Sequence, residues 1–300
     1  MGAFDQAARY AAHTEPIAVI DRLLRDEVEE LTFSTWFEPR AQSSPGDPER
    51  VADLIAILDD PEYPKWPWFM ILEFQAQVNA TKLRVMLEET GILHARGRSD
   101  KYQPGHRVLT ALIHLHDPCR DGVLNMTLKS GAGTRHQALV WNIHQDDAIE
   151  TLERVGRGEQ SWGMLFWVPL MANAEQESVI RCWKELVDGL PDADIRENMI
   201  GIALVFAELA KCYLEWERQL RGWKMTESKV VNGWIEEALL DNTRNTLIRL
   251  VQYRFRESVP NELISAIQMQ PSREMLDGWF EIAANASNVG ELIEVMRREN

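Results

Sequence analysis

The stretch VADLIAILDDPEYPKWPWFMILEFQAQ, residues 51–77, decides how this chain folds. It begins and ends with short apolar runs bounded by Asp and Pro, a pattern typical of buried β-strands. If the two strands form an antiparallel hairpin, one register places Asp53 opposite Glu73. Asp53, Glu73 and Gln75 then share one face, because opposed residues and residues two apart on a strand point the same way.

Two carboxylates this close do not both stay ionised in an apolar sheet unless a cation neutralises them. Mg²⁺ and Mn²⁺ meet that need through oxygen ligands. Such an ion lowers the pKa of a bound water and stabilises charge on a phosphoryl oxygen. The pattern therefore favours a hydrolytic metal site, with Asp53 and Glu73 as ligands. The same residues allow another interpretation, in which Asp53 caps a short helix, LIAILDD, and Glu73 ends an ordinary strand.

Two segments, VADLIAILDDPE and WPWFMILEFQAQ, resemble the acidic strand and the Glu-Phe-Gln strand of the recombination-promoting nuclease (Rpn) and transposase-like family. That family is a branch of the PD-(D/E)xK phosphodiesterases. AFDQAARY near the start and residues 225–268 resemble its first helix and its helical tail. The resemblance implies an α/β fold with a restriction-endonuclease-like core, in which helices flank a mixed sheet. An all-helical C-terminal domain follows, so the implied domains are 1–145 and 146–300.

The resemblance also implies a metal-dependent DNA endonuclease that uses Mg²⁺ or Mn²⁺. Asp53 and Glu73 match the metal-binding carboxylates, and Gln75 lies where the wider superfamily has Lys. A Gln amide orients water only by hydrogen bonds, whereas Lys supplies a charge. One more acid is expected from the first helices, and the candidates are Asp5, Glu15, Glu27, Glu29 and Glu30. Arg84 is followed by Val85 where the family has Tyr, which leaves open a catalytically silent relative that binds or regulates another protein.

Net charge limits how such a protein could bind DNA. The chain has 32 basic and 47 acidic side chains and a formal charge of −15. This charge excludes nonspecific electrostatic binding of a DNA duplex over a broad surface. Residues 82–107 are locally positive, and Tyr102 among them is able to stack on a base. We expect DNA contact to be local. The predicted contact residues are Lys82, Arg84, Arg96, Arg98, Lys101, Tyr102 and Arg107.

Apolar periodicity predicts the remaining elements. Residues 3–38 are predicted to form two helices broken near Thr14 to Pro16, and the chain from 146 onward is predicted to be almost wholly helical. A turn, GAGTR, separates two of the later strands. The elements predicted between these regions are strands at 51–58, 68–75, 107–116, 123–130 and 136–144, and a helix at 80–94.

Tryptophan is abundant, with 11 residues, most of them in the second half of the chain. These side chains are interpreted either as helix core or as a surface for a protein partner or a second copy of the chain.

Three widely spaced cysteines fit a reducing compartment, so a cytoplasmic location is expected. No stretch is long and apolar enough to span a bilayer, and no membrane partner is expected.

Overall fold

The structure is a computed structural model that describes residues 3–25, 30–37, 52–76, 79, 81–96, 106–116, 122–130, 132–221, 223, 240, 243–244, 246–255, 259–286 and 288–299. The chain divides into two compact units, one spanning 4–228 and the other made of 1–3 and 229–300. The larger unit thus continues past residue 145, where the sequence predicts a domain boundary.

The larger unit is mixed α/β and is built on a five-stranded mixed sheet. Its strand order is β1-β2-β3-β4-β7, with antiparallel pairing from β1 to β3 and parallel pairing from β3 to β7. Two further strands, β5 and β6, form a separate antiparallel pair. The strand bounds are β1 (Thr32–Trp36), β2 (Leu54–Asp59), β3 (Trp68–Gln75), β4 (Arg107–His114), β5 (Val123–Thr127), β6 (Gly133–Gln137) and β7 (Leu139–Asn142).

The predicted antiparallel hairpin is confirmed over its two described strands, β2 and β3. β2 and β3 pair antiparallel with Leu54 opposite Leu72 and Leu58 opposite Trp68. The alternative interpretation, a short capped helix over LIAILDD, is wrong because residues 54–59 are a strand. Both strands are mostly buried on both faces, so they are apolar almost throughout rather than alternating.

One face of the sheet is covered by α3 (Lys82–Arg96), the helix that connects the parallel strands β3 and β4. Ile55, Phe69 and Ile71 form a core cluster with Leu93 of this helix. Earlier in α3, Met86 clusters with Leu112, which is paired with Glu73 in the β3–β4 register. The predicted helix at 80–94 is therefore confirmed, and its first turns lie over the end of β3.

Aromatic packing covers the opposite face. Phe74 stacks on Trp167 with ring centroids 6.0 Å apart, and Trp167 also contacts Trp141 at 5.4 Å and Phe206 at 5.6 Å. The sheet therefore shares one core with the helices that follow it.

The helices of the larger unit other than α3 are α1 (Ala3–Thr14), α2 (Pro16–Leu24), α4 (Ala148–Gly156), α5 (Glu177–Asp188), α6 (Ala193–Leu209), α7 (Tyr213–Leu220) and short 3-10 turns at Ile143–Gln145, Trp162–Phe166 and Val168–Leu170.

Tryptophans in the second half mostly fill cores. Trp167, Trp183, Trp216 and Trp279 are fully buried, which confirms the core interpretation for these four. In two of them the indole N–H donates a hydrogen bond to a backbone carbonyl. Trp183 donates to Leu165, and Trp216 donates to Ala174. Buried side chains of this kind are not available to a partner, and Trp234 lies outside the described residues.

Two sequence predictions are wrong in detail. Residues 3–38 do contain two helices with a break at Glu15, but Thr32–Trp36 is the edge strand β1, because it can pair with the edge of β2. The predicted strand 136–144 is two strands that belong to different sheets. β5 and β6 do form an antiparallel pair, but Gly133, Thr134 and Arg135 of the predicted GAGTR turn belong to β6, and the chain then passes through Ala138 to β7 beside β4.

The smaller unit is helical where it is described and has its own core. Residues 246–255 are helical and are followed by α8 (Asn261–Met269), α9 (Arg273–Asn285) and α10 (Val289–Glu299). Trp279 belongs to a buried apolar cluster that also contains Val251, Ile267 and Leu276. Among the described residues of the whole chain, no helix combines the length and apolarity that crossing a bilayer requires.

Replacing Trp167 with Ala tests the shared core. We expect the free energy of unfolding to fall by about 3–5 kcal/mol, because the indole contacts the sheet and the helices together. Trp66→Ala is the matched control, since that side chain is 51% exposed and should change stability by less than about 1 kcal/mol. Urea denaturation followed by circular dichroism measures both values. Equal losses in the two variants would contradict the shared core.

Candidate acidic active site

Asp53 and Glu73 lie at the same end of the hairpin. Asp53 directly precedes β2, and continuing the β2–β3 register places it opposite Glu73. Its Oδ2 accepts the backbone N–H of Phe74 at 2.9 Å, so the carboxylate is fixed beside the residue that follows Glu73. Its Oδ1 accepts a hydrogen bond from the Nε–H of Arg9 at 3.1 Å and forms an ion pair with the same guanidinium. The sequence reasoning did not identify Arg9.

Glu73 is the more unusual of the two carboxylates because it is buried in the sheet. Its side chain is 1% exposed, and its Oε2 forms an ion pair with Nζ of Lys82. Among the described residues, Oε1 of Glu73 has no hydrogen-bond partner. An ionised carboxylate in such a place is costly unless opposite charge compensates it. The site is thus suited to a further cationic ligand on Oε1.

Burial and the neighbouring Asp53 carboxylate raise the pKa of Glu73 to about 8. Lys82 acts in the opposite direction, since its ammonium favours the charged carboxylate. Burial lowers the pKa of Lys82 itself, but the carboxylates of Glu73, Asp53 and Glu89 together outweigh burial and the net shift is upward. The two side chains therefore depend on each other, and the pKa of Glu73 stays raised even with the Lys82 ammonium beside it.

Lys82 pairs with Glu73 although the dipole of α3 disfavours a positive charge at this position. It is the first residue of α3, where the partial positive charge of the helix N-terminus disfavours a cation by about 0.3–1 kcal/mol. Glu89 lies seven residues further along the same helix face, is 9% exposed, and raises the pKa values of both Glu73 and Lys82. The sequence analysis did not assign Glu89 to the site. The spacing Lys82, Met86, Glu89, Leu93 on one helix face was the available signal.

Gln75, the third predicted site residue, ends β3 on the same face as Glu73. It is 6% exposed, and its Oε1 accepts the backbone N–H of Asn79 at 3.4 Å. Its backbone carbonyl accepts the N–H of Leu115 at 2.9 Å. Gln75 thus contacts Asn79 and Leu115, and it lies at the carboxyl end of a parallel strand, where α/β proteins commonly bind ligands.

The predicted DNA-contact residues whose side chains the structure describes do not all lie at the acidic site. Lys82 pairs with Glu73, and Arg84 is exposed on α3. Arg107 pairs with Asp60 at 2.9 Å beside the ring of Trp68, at the start of β3, roughly 16 Å along the strand from Glu73. The structure therefore does not bring Arg107 to the acidic site. Arg98, Lys101, Tyr102 and the side chain of Arg96 lie outside the described residues.

The candidate acids of the first helices have different places. Glu15 caps α2, where its Oε2 accepts the N–H of Ala18 at 2.8 Å, and it packs against Gly163, where even a Cβ atom would overlap it. Asp5 lies one turn before Arg9 on α1, the helix that reaches Asp53. Glu30 is exposed, and Glu27 and Glu29 lie outside the described residues.

Within the described part of the chain, no three His, Cys, Asp or Glu side chains form a ready-made metal cage. Mg²⁺ does not require one, because it is commonly held by one or two carboxylates and completes its shell with water and substrate phosphate. Asp53 and Glu73 supply two carboxylates, and Oε1 of Glu73 is unpartnered among the described residues. The donor set therefore fits a hard divalent cation.

Comparison with known proteins identifies no relative. The chain matches no protein-family model, no curated protein and no solved structure. The geometry of the site therefore carries the functional argument.

The raised pKa of Glu73 predicts a pH-dependent stability. The folded chain keeps the Glu73 proton up to about pH 8, whereas the unfolded chain releases it near 4.5. Stability from this group is fully present below about 4.5 and is lost as pH rises towards about 8. We expect Glu73→Gln to remove this loss, so the variant gains stability relative to the wild type across that window.

Thermal and urea unfolding at several pH values measure the difference. Glu62→Gln is the control, because Glu62 is an exposed glutamate on the loop after β2 and its replacement should leave the pH profile unchanged. Parallel profiles for the wild type and Glu73→Gln would contradict the buried, proton-holding carboxyl.

Proposed function

We propose that the chain is a metal-dependent DNA endonuclease, with a PD-(D/E)xK-type core like that of the Rpn and transposase-like family and a helical C-terminal domain. The observation that carries the proposal is the pair Asp53 and Glu73. Asp53 directly precedes β2 at the position that the continued β2–β3 register sets opposite Glu73, and Glu73 is buried with its pKa raised to about 8. A fold gains no stability from such a pair, so a ligand-binding role explains it better.

The proposed roles follow from the positions of the side chains. Asp53 and Glu73 hold Mg²⁺ or Mn²⁺, which when bound supplies a water of lowered pKa and neutralises charge on the phosphoryl oxygen. Gln75, at the end of β3, orients the attacking water through its amide. Arg9 fixes the Asp53 carboxylate in place, since its guanidinium donates to Oδ1 and forms an ion pair with it.

Substrate contact in this proposal is local. The described cations nearest the site are Arg9 and Lys82, both paired with carboxylates, and Arg84 is exposed two residues further along α3. With a net charge of −15, most of the surface repels a polyanion. Binding should therefore be weak, dependent on divalent cations and strongly reduced by salt.

Nicking of supercoiled plasmid with Mg²⁺ or Mn²⁺ tests the activity. We expect Asp53→Asn and Glu73→Gln each to lower the cleavage rate by about 100-fold or more, because each removes a charged metal ligand. Asp59→Asn, an exposed aspartate at the other end of β2, is the matched control and should keep the wild-type rate. Cleavage that survives both site substitutions would contradict the assignment.

A second candidate function is a catalytically silent protein that keeps the nuclease fold and binds or regulates another protein. The observation that favours it is that both carboxylates already have cationic partners within the chain, Arg9 on Asp53 and Lys82 on Glu73. In that case the two ion pairs only compensate the charges of these four side chains and bind no ligand. Calorimetric titration separates the two candidates, since the silent protein binds no divalent cation through Asp53 and Glu73 even when DNA is present.

A further inference from the structure

The two-stranded ribbon of β5 and β6 lies outside the acidic site and is largely open to solvent. Side chains on both faces of β5 are exposed, and the exposed residues are Val123, Asn125, Met126, Thr127 and Leu128. A two-stranded ribbon that no other layer covers is only marginally stable in water. A partner that added strands to this ribbon would therefore stabilise it.

Hydrogen bonds within the ribbon identify the backbone groups that face outward. The N–H of Leu128 donates to the carbonyl of Ala132, and the N–H of Ala138 donates to the carbonyl of Gly122, both at 2.7 Å. Bonded and non-bonded pairs alternate along an antiparallel ladder, so the even-numbered residues of β5 bond to β6. Among the described strands, none pairs with the other edge of β5. The N–H and C=O groups on that edge belong to Val123, Asn125 and Thr127.

This edge lacks the features by which β-proteins usually prevent edge pairing, which are charged side chains, Pro and bulges. Residues 123–128, VLNMTL, contain no charged residue and no Pro, and the β5–β6 register is unbroken. The edge strand β1, in contrast, has an irregular register between Phe33 and Thr35. An extended chain is therefore able to add to β5 by regular antiparallel pairing.

A second copy of β5 is complementary to this edge. Antiparallel pairing centred on Asn125 sets Val123 of each copy opposite Thr127 of the other, so the outward groups form about six backbone hydrogen bonds. The same register sets Leu124 opposite Met126 of the other copy, at non-hydrogen-bonded positions where side chains approach most closely. Leu124 is partly buried and Met126 is 47% exposed, so this pairing removes apolar surface from water.

The charge around the ribbon also favours a second copy at this edge. The chain has a net charge of −15, so two copies repel each other over most of their surfaces. Residues 122–145 contain no Asp or Glu, and the charged side chains among them are Lys129 and Arg135. Two copies that meet through β5 therefore do not bring acidic side chains of this segment together.

We propose that β5 is the interface of a symmetric dimer, in which the ribbons of two copies join into one four-stranded antiparallel sheet. The proposal goes beyond the proposed function and does not depend on the acidic site. The joined edges are smaller than the roughly 800 Å² per partner that a stable complex buries. The dimer therefore forms reversibly, with a dissociation constant on the order of 10 μM.

Sedimentation velocity of the full chain measures this dimer. Protein concentrations from about 1 to about 200 μM bracket the expected dissociation constant. We expect the weight-average sedimentation coefficient to rise over this range from the value of the monomer towards that of the dimer.

Two proline substitutions at opposed positions locate the interface. Asn125 and Arg135 lie opposite each other in the ribbon, and the N–H of each points away from the other strand. Asn125→Pro removes an outward N–H from β5 and should weaken the dimer by about 10-fold or more, with an unchanged circular dichroism spectrum. Arg135→Pro removes the equivalent N–H from β6 and should dimerise like the wild type.

A charge substitution tests the apolar pairs across the interface. Met126→Lys places a charge opposite Leu124 of the other copy and should weaken the dimer by about 10-fold or more. Thr134→Lys is the matched control, because Thr134 is exposed and lies opposite Met126 on β6, one strand further from the interface. This variant has the same net charge and should keep the wild-type dissociation constant.

Amide hydrogen exchange of the wild type tests the pairing without any substitution. The N–H groups of Val123, Asn125 and Thr127 should become protected as the protein concentration rises. The N–H groups of Leu124 and Met126 bond to β6 in monomer and dimer alike, so their protection should depend much less on concentration.

Each outcome supports or overturns the proposal. A wild-type chain that stays monomeric up to about 200 μM overturns it. A dimer that survives Asn125→Pro, or that Arg135→Pro weakens as strongly, also overturns it. Because sedimentation and hydrogen exchange of the wild type are decisive on their own, the test does not depend on any variant folding. The nicking assay tests the proposed function separately.

Discussion

The buried carboxylate of Glu73 is the constraint around which the rest of the site is arranged. Its side chain is 1% exposed at the end of a strand whose other residues are nearly all apolar, and burial raises its pKa to about 8. Asp53 across the hairpin makes its charge more costly, and Lys82 of α3 makes it less so. The sheet and the helix must therefore be assembled before Glu73 has a cationic partner, which ties the chemistry of the site to the fold.

Two connections between elements of the fold produce this arrangement. The hairpin of β2 and β3 brings Asp53 and Glu73 together, and the β3–α3–β4 crossover brings Lys82 over them. On the far side of the sheet, Phe74 stacks on Trp167, so the strand that carries Glu73 is held between α3 and an aromatic core. Substitutions far from the acidic site would thus be expected to affect it through β3.

Much of the site was predictable because it depends on local sequence. The apolar runs and turn residues of 51–77 predicted a hairpin, one register of which places Asp53 opposite Glu73, and the register of β2 and β3 agrees. Other features depend on tertiary contacts that no short pattern encodes. Arg9 reaches Asp53 from a helix 44 residues away, Lys82 pairs with Glu73 instead of joining a basic surface, and Arg107 pairs with Asp60 at the far end of the strand. The edge strand β1 was missed because its partner, β2, decides its conformation.

The central claim is that Glu73 is a buried carboxyl that needs a cation in addition to Lys82 in order to ionise at neutral pH. Carboxyl ¹³C NMR of selectively labelled protein, with Glu73→Gln to assign the signal, measures its pKa directly. The account predicts a pKa near 8 in the metal-free protein and a much lower value when Mg²⁺ and an oligodeoxynucleotide are present. A pKa near the ordinary value of 4.5 in the metal-free protein, or a pKa near 8 that Mg²⁺ and DNA leave unchanged, would contradict it.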